Sequence, residues 1–176
     1  MNEVNLIGNF TKEFEYSHST NNIKFYSSII KVSRLSGIAD YIPVITQNPI
    51  DISETQYVHG ELRVFNRHGH SFYYVYSDFS YPLDEPCINR VELIGHVRTH
   101  SQPRKTPMGS YIMDAMLNIE NKNSSYSVPL IFWNVLSKRE IHIGDKMHVV
   151  GRLQSREYIK NNNVREILEV SVNEIL

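Results

Sequence analysis

The two halves of the sequence repeat each other, and this repeat constrains the fold more than any other feature. Residues 2–8, Asn-Glu-Val-Asn-Leu-Ile-Gly, return at residues 89–95 as Asn-Arg-Val-Glu-Leu-Ile-Gly, with five of seven positions identical at an offset of 87. Two further pairs follow in the same order: Ile30-Lys-Val32 with Leu117-Asn-Ile119, and Val58-His-Gly60-Glu-Leu62 with Val149-Val-Gly151-Arg-Leu153. Short strings of this kind are common in strands, but their shared order argues against coincidence. The repeat predicts two copies of one small domain in tandem.

Alternating apolar and polar residues predict strands along most of the chain. Five strands are predicted in each half, near 3–10, 24–34, 41–47, 57–65 and 71–79, and then near 89–98, 110–120, 125–133, 146–158 and 164–174. A five-stranded Greek-key barrel, the OB-fold, needs this number of strands. We therefore expect an all-β protein made of two tandem OB-folds. A short helix is expected at 134–139, and a loop at the corresponding 48–53, which contains Pro49.

The domain limits follow from this division. Residues 1–80 form the first predicted OB-fold, which is divergent, and residues 88–176 form the second. The predicted linker, 81–87, contains two prolines and is short and fairly stiff. Each half is long enough for a small hydrophobic core.

Composition places the chain among small intracellular proteins. The start of the sequence has no basic segment followed by an apolar run, and no stretch approaches the length of a membrane span. The single cysteine, Cys87, cannot form an internal disulfide, which is typical of a reducing compartment. We therefore expect a cytoplasmic protein with no membrane partner.

Charge is distributed unevenly between the halves. Residues 1–87 contain six Lys/Arg and ten Asp/Glu, a net charge of −4, whereas residues 88–176 contain twelve and nine, a net charge of +3. Such asymmetry is a pointer to an anionic partner of the basic half. Ordinary solvated surfaces explain a charge of this size equally well until motifs are added.

Two motifs in the second half supply that addition. The turn Arg104-Lys-Thr106-Pro107-Met-Gly109 follows the strand that ends near Arg98, and Gly151-Arg-Leu-Gln-Ser-Arg-Glu-Tyr158 lies on a later long strand. With the Val-x-Leu-Ile-Gly opening, these motifs make residues 89–176 resemble the bacterial and phage single-stranded DNA-binding proteins. The resemblance covers about half of the chain. It implies an OB-fold that binds single strands, with an aromatic base-stacking residue at Trp133.

The physical chemistry of the residues agrees with this resemblance. A single strand offers phosphates and exposed base faces, so its binding needs cations along a groove together with aromatic rings. Alternation along residues 152–158 predicts one shared face for Arg152, Gln154, Arg156 and Tyr158. The predicted nucleic-acid-binding residues are those with a cationic or aromatic side chain near these motifs: Arg98, Arg104, Lys105, Trp133, Arg152, Arg156, Tyr158, Lys160 and Arg165.

Each assignment has a structural alternative. Arg152 and Arg156 fit a solvated strand face paired with glutamates, and Tyr158 fits a packing role. Trp133 follows an apolar strand and shares its face with Ile131, so core packing is a serious alternative for it. Phe132 points the other way and is assigned to the core.

The first half keeps the strand pattern but lacks many of these residues. Ser17-His18 stand in place of Arg104-Lys105, Thr46-Gln47 in place of Phe132-Trp133, and Glu61 in place of Arg152. This half is therefore predicted to be a degenerate copy for binding. Arg63, Phe65, Arg67 and the tyrosine-rich segment 72–76 leave it a weaker surface as an alternative.

Eight histidines raise the question of a metal site. His68-Gly-His70 has neither the paired cysteines nor the carboxylates that would complete a zinc site, and it is predicted to be a hairpin turn. No phosphate-cradling glycine loop or nucleophile motif is present. We expect no enzyme activity, no metal and no cofactor.

The expected function is therefore sequence-tolerant binding of single-stranded DNA in replication, recombination or repair, with RNA as an alternative ligand. Because single-domain members of the family form tetramers, a homodimer of this two-domain chain would supply four barrels. The alternative is a protein-interaction module, such as a primosome-type accessory factor. Bacterial members usually end in an acidic tip that recruits partners, whereas this sequence stops within a strand pattern, so recruitment by that route is expected to be missing.

Overall fold

The computed structural model describes residues 1–121, 124–160 and 162–176, and the side chains of these residues except 121, 158–160 and 165. The elements in the described part are strands and one short 3-10 helix at Leu136–Lys138. The strands of the first half are β1 (Asn2–Phe10), β2 (Glu15–Thr20), β3 (Ile23–Ser33), β4 (Ala39–Thr46), β5 (Gln56–Arg67) and β6 (His70–Pro82). Those of the second half are β7 (Ile88–His100), β8 (Arg104–Lys105), β9 (Tyr111–Asn121), β10 (Ser124–Trp133), β11 (Lys146–Lys160) and β12 (Asn163–Ile175).

All ten predicted strands are present, and two more were missed. Every residue of β2 is exposed, and β8 contains only two residues, both exposed. Neither strand contributes to a core, so neither has the apolar alternation that marks a half-buried strand. The helix predicted at 134–139 is reduced to the three-residue 3-10 turn, and residues 48–53 form a loop as predicted.

The first barrel closes through β1, which pairs with β5 along one part and with β3 along another. The ring continues from β3 to β4 and then to β6, which lies parallel to β4, and returns through the β5–β6 hairpin. Apolar side chains that face inward fill this ring. The largest of them are fully buried: Leu6, Ile30, Ile42 and Leu62.

The second barrel repeats this order strand for strand. β7 pairs with β11 and with β9, β9 pairs with β10, and β10 lies parallel to β12, which neighbours β11. Its core contains Leu93, Leu117, Leu130, Phe132 and Leu153. The prediction of two tandem OB-folds is confirmed, and so is the assignment of Phe132 to the core.

The repeated glycines mark the places where each barrel closes. Gly8 lies where β1 changes partner from β5 to β3, and Gly95 lies at the equivalent point of β7. A Cβ atom at Gly8 would lie 2.3 Å from the carbonyl oxygen of Lys31, and one at Gly95 would lie 2.3 Å from that of Asn118. Any side chain would collide with the backbone of the crossing strand, so barrel closure explains why both copies have glycine here.

Internal packing divides the chain into two compact units whose limits differ from a cut at the midpoint. One, the first-barrel unit, comprises Glu3–Arg90 and Gln154–Leu168; the other, the second-barrel unit, comprises Met1–Asn2, Val91–Leu153 and Glu169–Leu176. Within the first-barrel unit, the amide of Tyr41 donates to Ser155 Oγ over 3.4 Å. Within the second-barrel unit, the amide of Ile94 donates to the carbonyl of Met1 over 2.9 Å. The limits 1–80 and 88–176 stay a prediction; β6 continues to Pro82, two residues into the predicted linker 81–87.

Candidate nucleic-acid interface

The nine predicted binding residues fall into both units. Arg98, Arg104, Lys105, Trp133 and Arg152 lie in the second-barrel unit. The remaining four lie in the segment 154–168 of the first-barrel unit: Arg156, Tyr158, Lys160 and Arg165. Arg156 is exposed, and the side chains of Tyr158, Lys160 and Arg165 lie outside the described residues.

Arg98 is positioned by an irregularity in β7. Val97 pairs with Leu117 and Thr99 pairs with Met116, so Arg98 is an extra residue in the β7–β9 ladder. Such a bulge re-aims the side chain of the inserted residue. Arg98 is exposed, and its Nη1 donates to Ser127 Oγ of β10 over 3.1 Å. The bulge thus places a guanidinium over the outer side of β9 and β10.

The motif around Thr106 forms the tight turn that was predicted from its sequence. The amide of Thr106 donates to the carbonyl of Ser110 over 2.7 Å, and the amide of Gly109 donates to that of Thr106 over 2.9 Å. Gly109 has φ +91°, a conformation that other residues adopt only with strain. The turn joins β8 to β9 and fixes the direction of both cations of β8.

One face of β8, β9 and β10 aligns a cation with the tryptophan. Arg104 pairs with Ile112, and Ile112 pairs with Trp133, so these three side chains form a row across the strands. Arg104 also forms an ion pair with Asp114, with 2.6 Å between Nη2 and Oδ2. Both side chains are about half exposed, so this pair contributes little to stability.

Trp133 combines a partly accessible ring with an unpartnered indole nitrogen. The residue is half-buried, and its Nε1 is buried without a hydrogen-bond partner among the described residues. Ile131 on the same face is buried at 3% exposure. The ring therefore extends a packed apolar surface, and its accessible part lies in the same row as Arg104, with Ile112 between them. The indole donor is covered in the free protein.

Lys105 points to two residues that the sequence did not single out. Lys105 is exposed and pairs with Tyr111 across β8 and β9. Tyr111 is 38% exposed, and the Nζ of Lys138 lies 4.7 Å from the centroid of its ring. Lys138 belongs to the 3-10 turn, and the strand pattern of the sequence does not show that this turn lies next to β9. Tyr111 could have been predicted as a neighbour of Lys105 only if the pairing of β8 with β9 had been known.

The predicted stripe along β11 is interrupted. Arg152 is half-buried and Arg156 is exposed, but Gln154 between them is only 6% exposed. The stripe is therefore not continuously exposed, because Gln154 is covered; the prediction of one shared strand side concerned direction and not exposure. Leu153 is fully buried, as its assignment to the opposite face requires.

The first barrel carries aromatic surfaces that the substitutions in its sequence concealed. Phe65 and Phe72 are exposed and stacked, with ring centroids 5.1 Å apart and an interplanar angle of 15°. The Cζ of Arg63 lies 3.8 Å from the ring centroid of Tyr76 and its Nε lies 3.2 Å from the carboxylate of Glu61. The sequence did contain a signal for this surface. Aromatic residues alternate along segment 72–76, and Arg63 and Phe65 lie opposite them on the other strand of the hairpin.

The histidine-containing turn has the geometry of a tight hairpin. His68 and Gly69 both have positive φ, +51° and +76°, and Arg67 pairs with His70 on either side of them. Across the described residues, no group of three or more His, Cys, Asp and Glu side chains is arranged to hold a metal ion. In the part of the chain that the structure describes, no helix is long and apolar enough to cross a membrane.

Comparison with known proteins gives a structural match but no match in sequence. No family model and no curated protein matches the chain. The wild-type single-stranded DNA binding protein from Thermus aquaticus aligns with 100% of this chain and 92% of its own at 20% identity, with a TM-score of 0.79. A deletion mutant of the same protein, carrying R190A, aligns with 100% of this chain and 93% of its own at 21% identity, with the same TM-score.

A third match covers less. The N-terminal domain of PriB from Thermoanaerobacter tencongensis aligns with 48% of this chain at 27% identity and a TM-score of 0.42, which adds nothing to the fold assignment. At the identities of the full-length matches, the likeness concerns the fold. The chain therefore shares its fold, over its full length, with the single-stranded DNA binding protein from Thermus aquaticus.

Proposed function

We propose that this protein binds single-stranded DNA with little sequence preference, mainly through the outer face of β8, β9 and β10. The observation that carries this proposal is the row of Arg104, Ile112 and Trp133 across three strands. It places a cation for phosphate and an aromatic ring for a base on one face, with Ile112 between them, and single-strand binding requires both kinds of group. The shared fold of a protein named for single-stranded DNA binding supports the proposal.

Phosphate contacts are assigned to the exposed cations around this row. Arg104 is held by Asp114 in the free protein, but an exposed pair of this kind is worth only about 0–1 kcal/mol. A phosphate can therefore replace the carboxylate at small cost. Arg98, Lys105 and Lys138 present further cations on the same unit. Arg152, Arg156, Lys160 and Arg165 complete the proposed set.

Base contacts are assigned to aromatic rings. Trp133 has a partly accessible ring, and Tyr111 lies at the start of β9, next to the Ile112 that pairs with Trp133, with the ammonium of Lys138 over its ring. Tyr158 is included by its place in the strand motif. Stacking accepts any base because every base has a π face, so little sequence selectivity is expected.

The first barrel is proposed to be the weaker of the two binding surfaces. Phe65 and Phe72 supply exposed rings, whereas Tyr76 is half-buried beneath Arg63. Glu61, which corresponds to Arg152 of the second barrel, pairs with Arg63 and neutralises it. The proposed processes are replication, recombination or repair, with RNA as an alternative ligand. We also propose a homodimer, which would bring together four barrels and is testable by light scattering of the purified protein.

The deciding experiment is a fluorescence titration of the intact protein with oligo-dT, an oligo-rU of equal length and a blunt duplex, each at two salt concentrations. We expect oligo-dT to bind more tightly than duplex and its affinity to fall as salt rises, because counterions are released from the strand. Equal or tighter binding of the duplex, or no binding of oligo-dT at low salt, would refute the proposal. A clear preference for oligo-rU would reassign the ligand to RNA.

A further inference from the structure

The first barrel contains a cavity that the proposed DNA surface does not use. It has a volume of about 380 Å³ and lies in the first-barrel unit, between the loop after β4 and the ends of β5 and β6. Its lining residues include three with buried polar side chains, Thr46, Gln56 and Ser77, and two with carboxylates, Asp51 and Asp78. No lysine, arginine or histidine lines it.

Gln56 places an unused hydrogen-bond donor in this wall. Its side chain is 1% exposed, and its Nε2 is buried with no hydrogen-bond partner among the described residues. The neighbouring buried hydroxyls are satisfied locally, since Thr46 Oγ1 bonds to Asn48 over 3.2 Å and Ser77 Oγ donates to the carbonyl of Phe79 over 3.2 Å. A buried amide left without an acceptor destabilises the free protein, so its presence calls for an explanation.

The second barrel shows that the fold does not require this amide. Gln56 pairs with Gly8, and Met147 pairs with the equivalent Gly95, so the two residues occupy the same position in the two barrels. Met147 is 5% exposed and closes its barrel with an apolar side chain. The glutamine is therefore a feature of the first barrel alone and is better explained by a ligand than by folding.

The charge of the cavity selects the ligand. Asp51 and Asp78 are exposed and form no ion pair with any residue that the structure describes. The amide of Ser53 donates to Asp51 Oδ1 over 2.9 Å, and this bond lowers the pKa of Asp51, which stays charged at neutral pH. Two carboxylates without a cation repel a phosphate backbone and attract a cationic side chain.

The two carboxylates narrow the choice of cation to a guanidinium. Phe79 and Tyr81 also line the cavity, but the Phe79 ring stacks on His59 with centroids 4.8 Å apart, and the Tyr81 ring packs against Tyr57 at 5.0 Å, so no stacking on the ligand is assigned to them. A planar guanidinium forms paired hydrogen bonds with carboxylates, which an ammonium does less well. We propose that the cavity binds an arginine side chain of a partner polypeptide, with Asp51 and Asp78 facing the guanidinium and a peptide carbonyl accepting from Gln56 Nε2.

This proposal does not depend on DNA binding, and its test uses the intact chain. The probe is the capped tripeptide acetyl-Gly-Arg-Gly-amide, and the readout is the NMR shift of the Gln56 side-chain amide together with calorimetry. The matched control peptide replaces arginine with citrulline, which has the same shape without the charge. We expect the arginine peptide to cause saturable shifts at Gln56 and to bind more weakly as salt rises. The citrulline peptide should bind at least about tenfold more weakly than the arginine peptide.

The matched protein variant is Gln56→Met, which copies the second barrel. We expect it to bind the arginine peptide about tenfold more weakly and to raise the melting temperature of the free protein, because the buried unpartnered donor is removed. The double variant Asp51→Asn with Asp78→Asn should also bind the arginine peptide more weakly, and the protein should stay folded.

Four results would overturn the proposal. One is equal binding of the citrulline peptide, and another is unchanged peptide affinity in Gln56→Met. The third is a lower melting temperature in Gln56→Met, which would show that the amide already has an internal partner such as a buried water. The fourth is a shift at Gln56 caused by oligo-dT rather than by the peptide, which would make the cavity part of a DNA surface.

Discussion

Trp133 is the residue on which stacking and packing make different predictions. Its ring is half-buried and continues an apolar face that includes the buried Ile131. If the accessible face stacks on a base, Trp133→Ala should weaken oligo-dT binding by about 1–3 kcal/mol with little loss of stability. Oligo-dT should also quench the fluorescence of the wild-type protein, in which Trp133 is the single tryptophan.

Trp133→Phe is the matched control, because it keeps a ring and loses the indole donor. It should retain more of the binding energy than the alanine variant does. A core role for Trp133 would instead lower the stability of Trp133→Ala by about 3–5 kcal/mol. Normal binding by a folded Trp133→Ala protein would remove this residue from the site.

Asp114 is predicted to lower the affinity of the second barrel for single-stranded DNA. Its carboxylate lies 2.6 Å from Arg104 and competes with phosphate for the guanidinium. Asp114→Asn should therefore tighten oligo-dT binding by about two- to fivefold at low salt, within the range that an exposed ion pair supplies. The measurement is a titration of the variant beside the wild type. In an Arg104→Gln background the gain should vanish, and an equal gain there would show that Asp114 acts by general repulsion alone.

At the scale of elements, the glycines of barrel closure were the most informative part of the sequence. Gly95→Ala would bring Cβ to 2.3 Å from the carbonyl of Asn118 and should destabilise the second-barrel unit by about 1–3 kcal/mol. Gly8→Ala should do the same in the first-barrel unit. Hydrogen exchange would check this, because loss of protection should be largest in the strands of the substituted barrel.

Gly37→Asn provides the control for this pair. Gly37 has φ +83° and no atom within 4 Å of an added Cβ, and asparagine tolerates this conformation. The free energy of unfolding of Gly37→Asn should remain close to that of the wild type. A similar loss of stability at Gly37 and Gly95 would mean that backbone collision is not the cause.

Strand positions were predictable because a barrel core imposes alternation, and elements outside the core were not. β2 and β8 have no buried residue, so apolar periodicity could not reveal them. The candidate site was partly predictable: motifs singled out the Thr-Pro-x-Gly turn and Trp133. The burial of Gln154 was not predictable, because the alternation rule describes strand faces and says nothing of what packs on them. Gln56 went unnoticed, since its meaning depends on burial and on the pairing of Gly8.

At the scale of the whole molecule, charge should set the response to salt. Eight basic residues are assigned to phosphate: Arg98, Arg104, Lys105, Lys138, Arg152, Arg156, Lys160 and Arg165. If each neutralises one phosphate, the plot of log affinity against log salt should have a slope of about −5 to −6 for a single strand. Titrations at four or more salt concentrations measure this slope. A slope near zero would mean that stacking, and not charge, dominates binding.

The division into units changes how the two barrels should be compared. Residues 154–168 belong to the first-barrel unit, so cutting the chain at residue 87 would separate them from the rest of that unit. Counted by unit, ten Lys/Arg face twelve Asp/Glu in the first-barrel unit, and eight face seven in the second. The net charges are then −2 and +1, a smaller contrast than between the halves. Comparison of the barrels therefore calls for substitutions in the intact chain.

Two matched double variants test which barrel binds more of the strand. Trp133→Ala with Arg104→Gln removes a ring and a cation from the second barrel, and Phe65→Ala with Arg63→Gln removes the same kinds of group from the first. Both arginines are paired with a carboxylate, but Arg104 is the more exposed of the two and shares a row with Trp133. We therefore expect the second-barrel variant to lose at least about tenfold in oligo-dT affinity and the first-barrel variant about threefold. Melting curves of both proteins must match the wild type for the comparison to hold. Equal losses would show that the first barrel is a full partner in binding, and a larger loss from the first barrel would reverse the proposed division of labour.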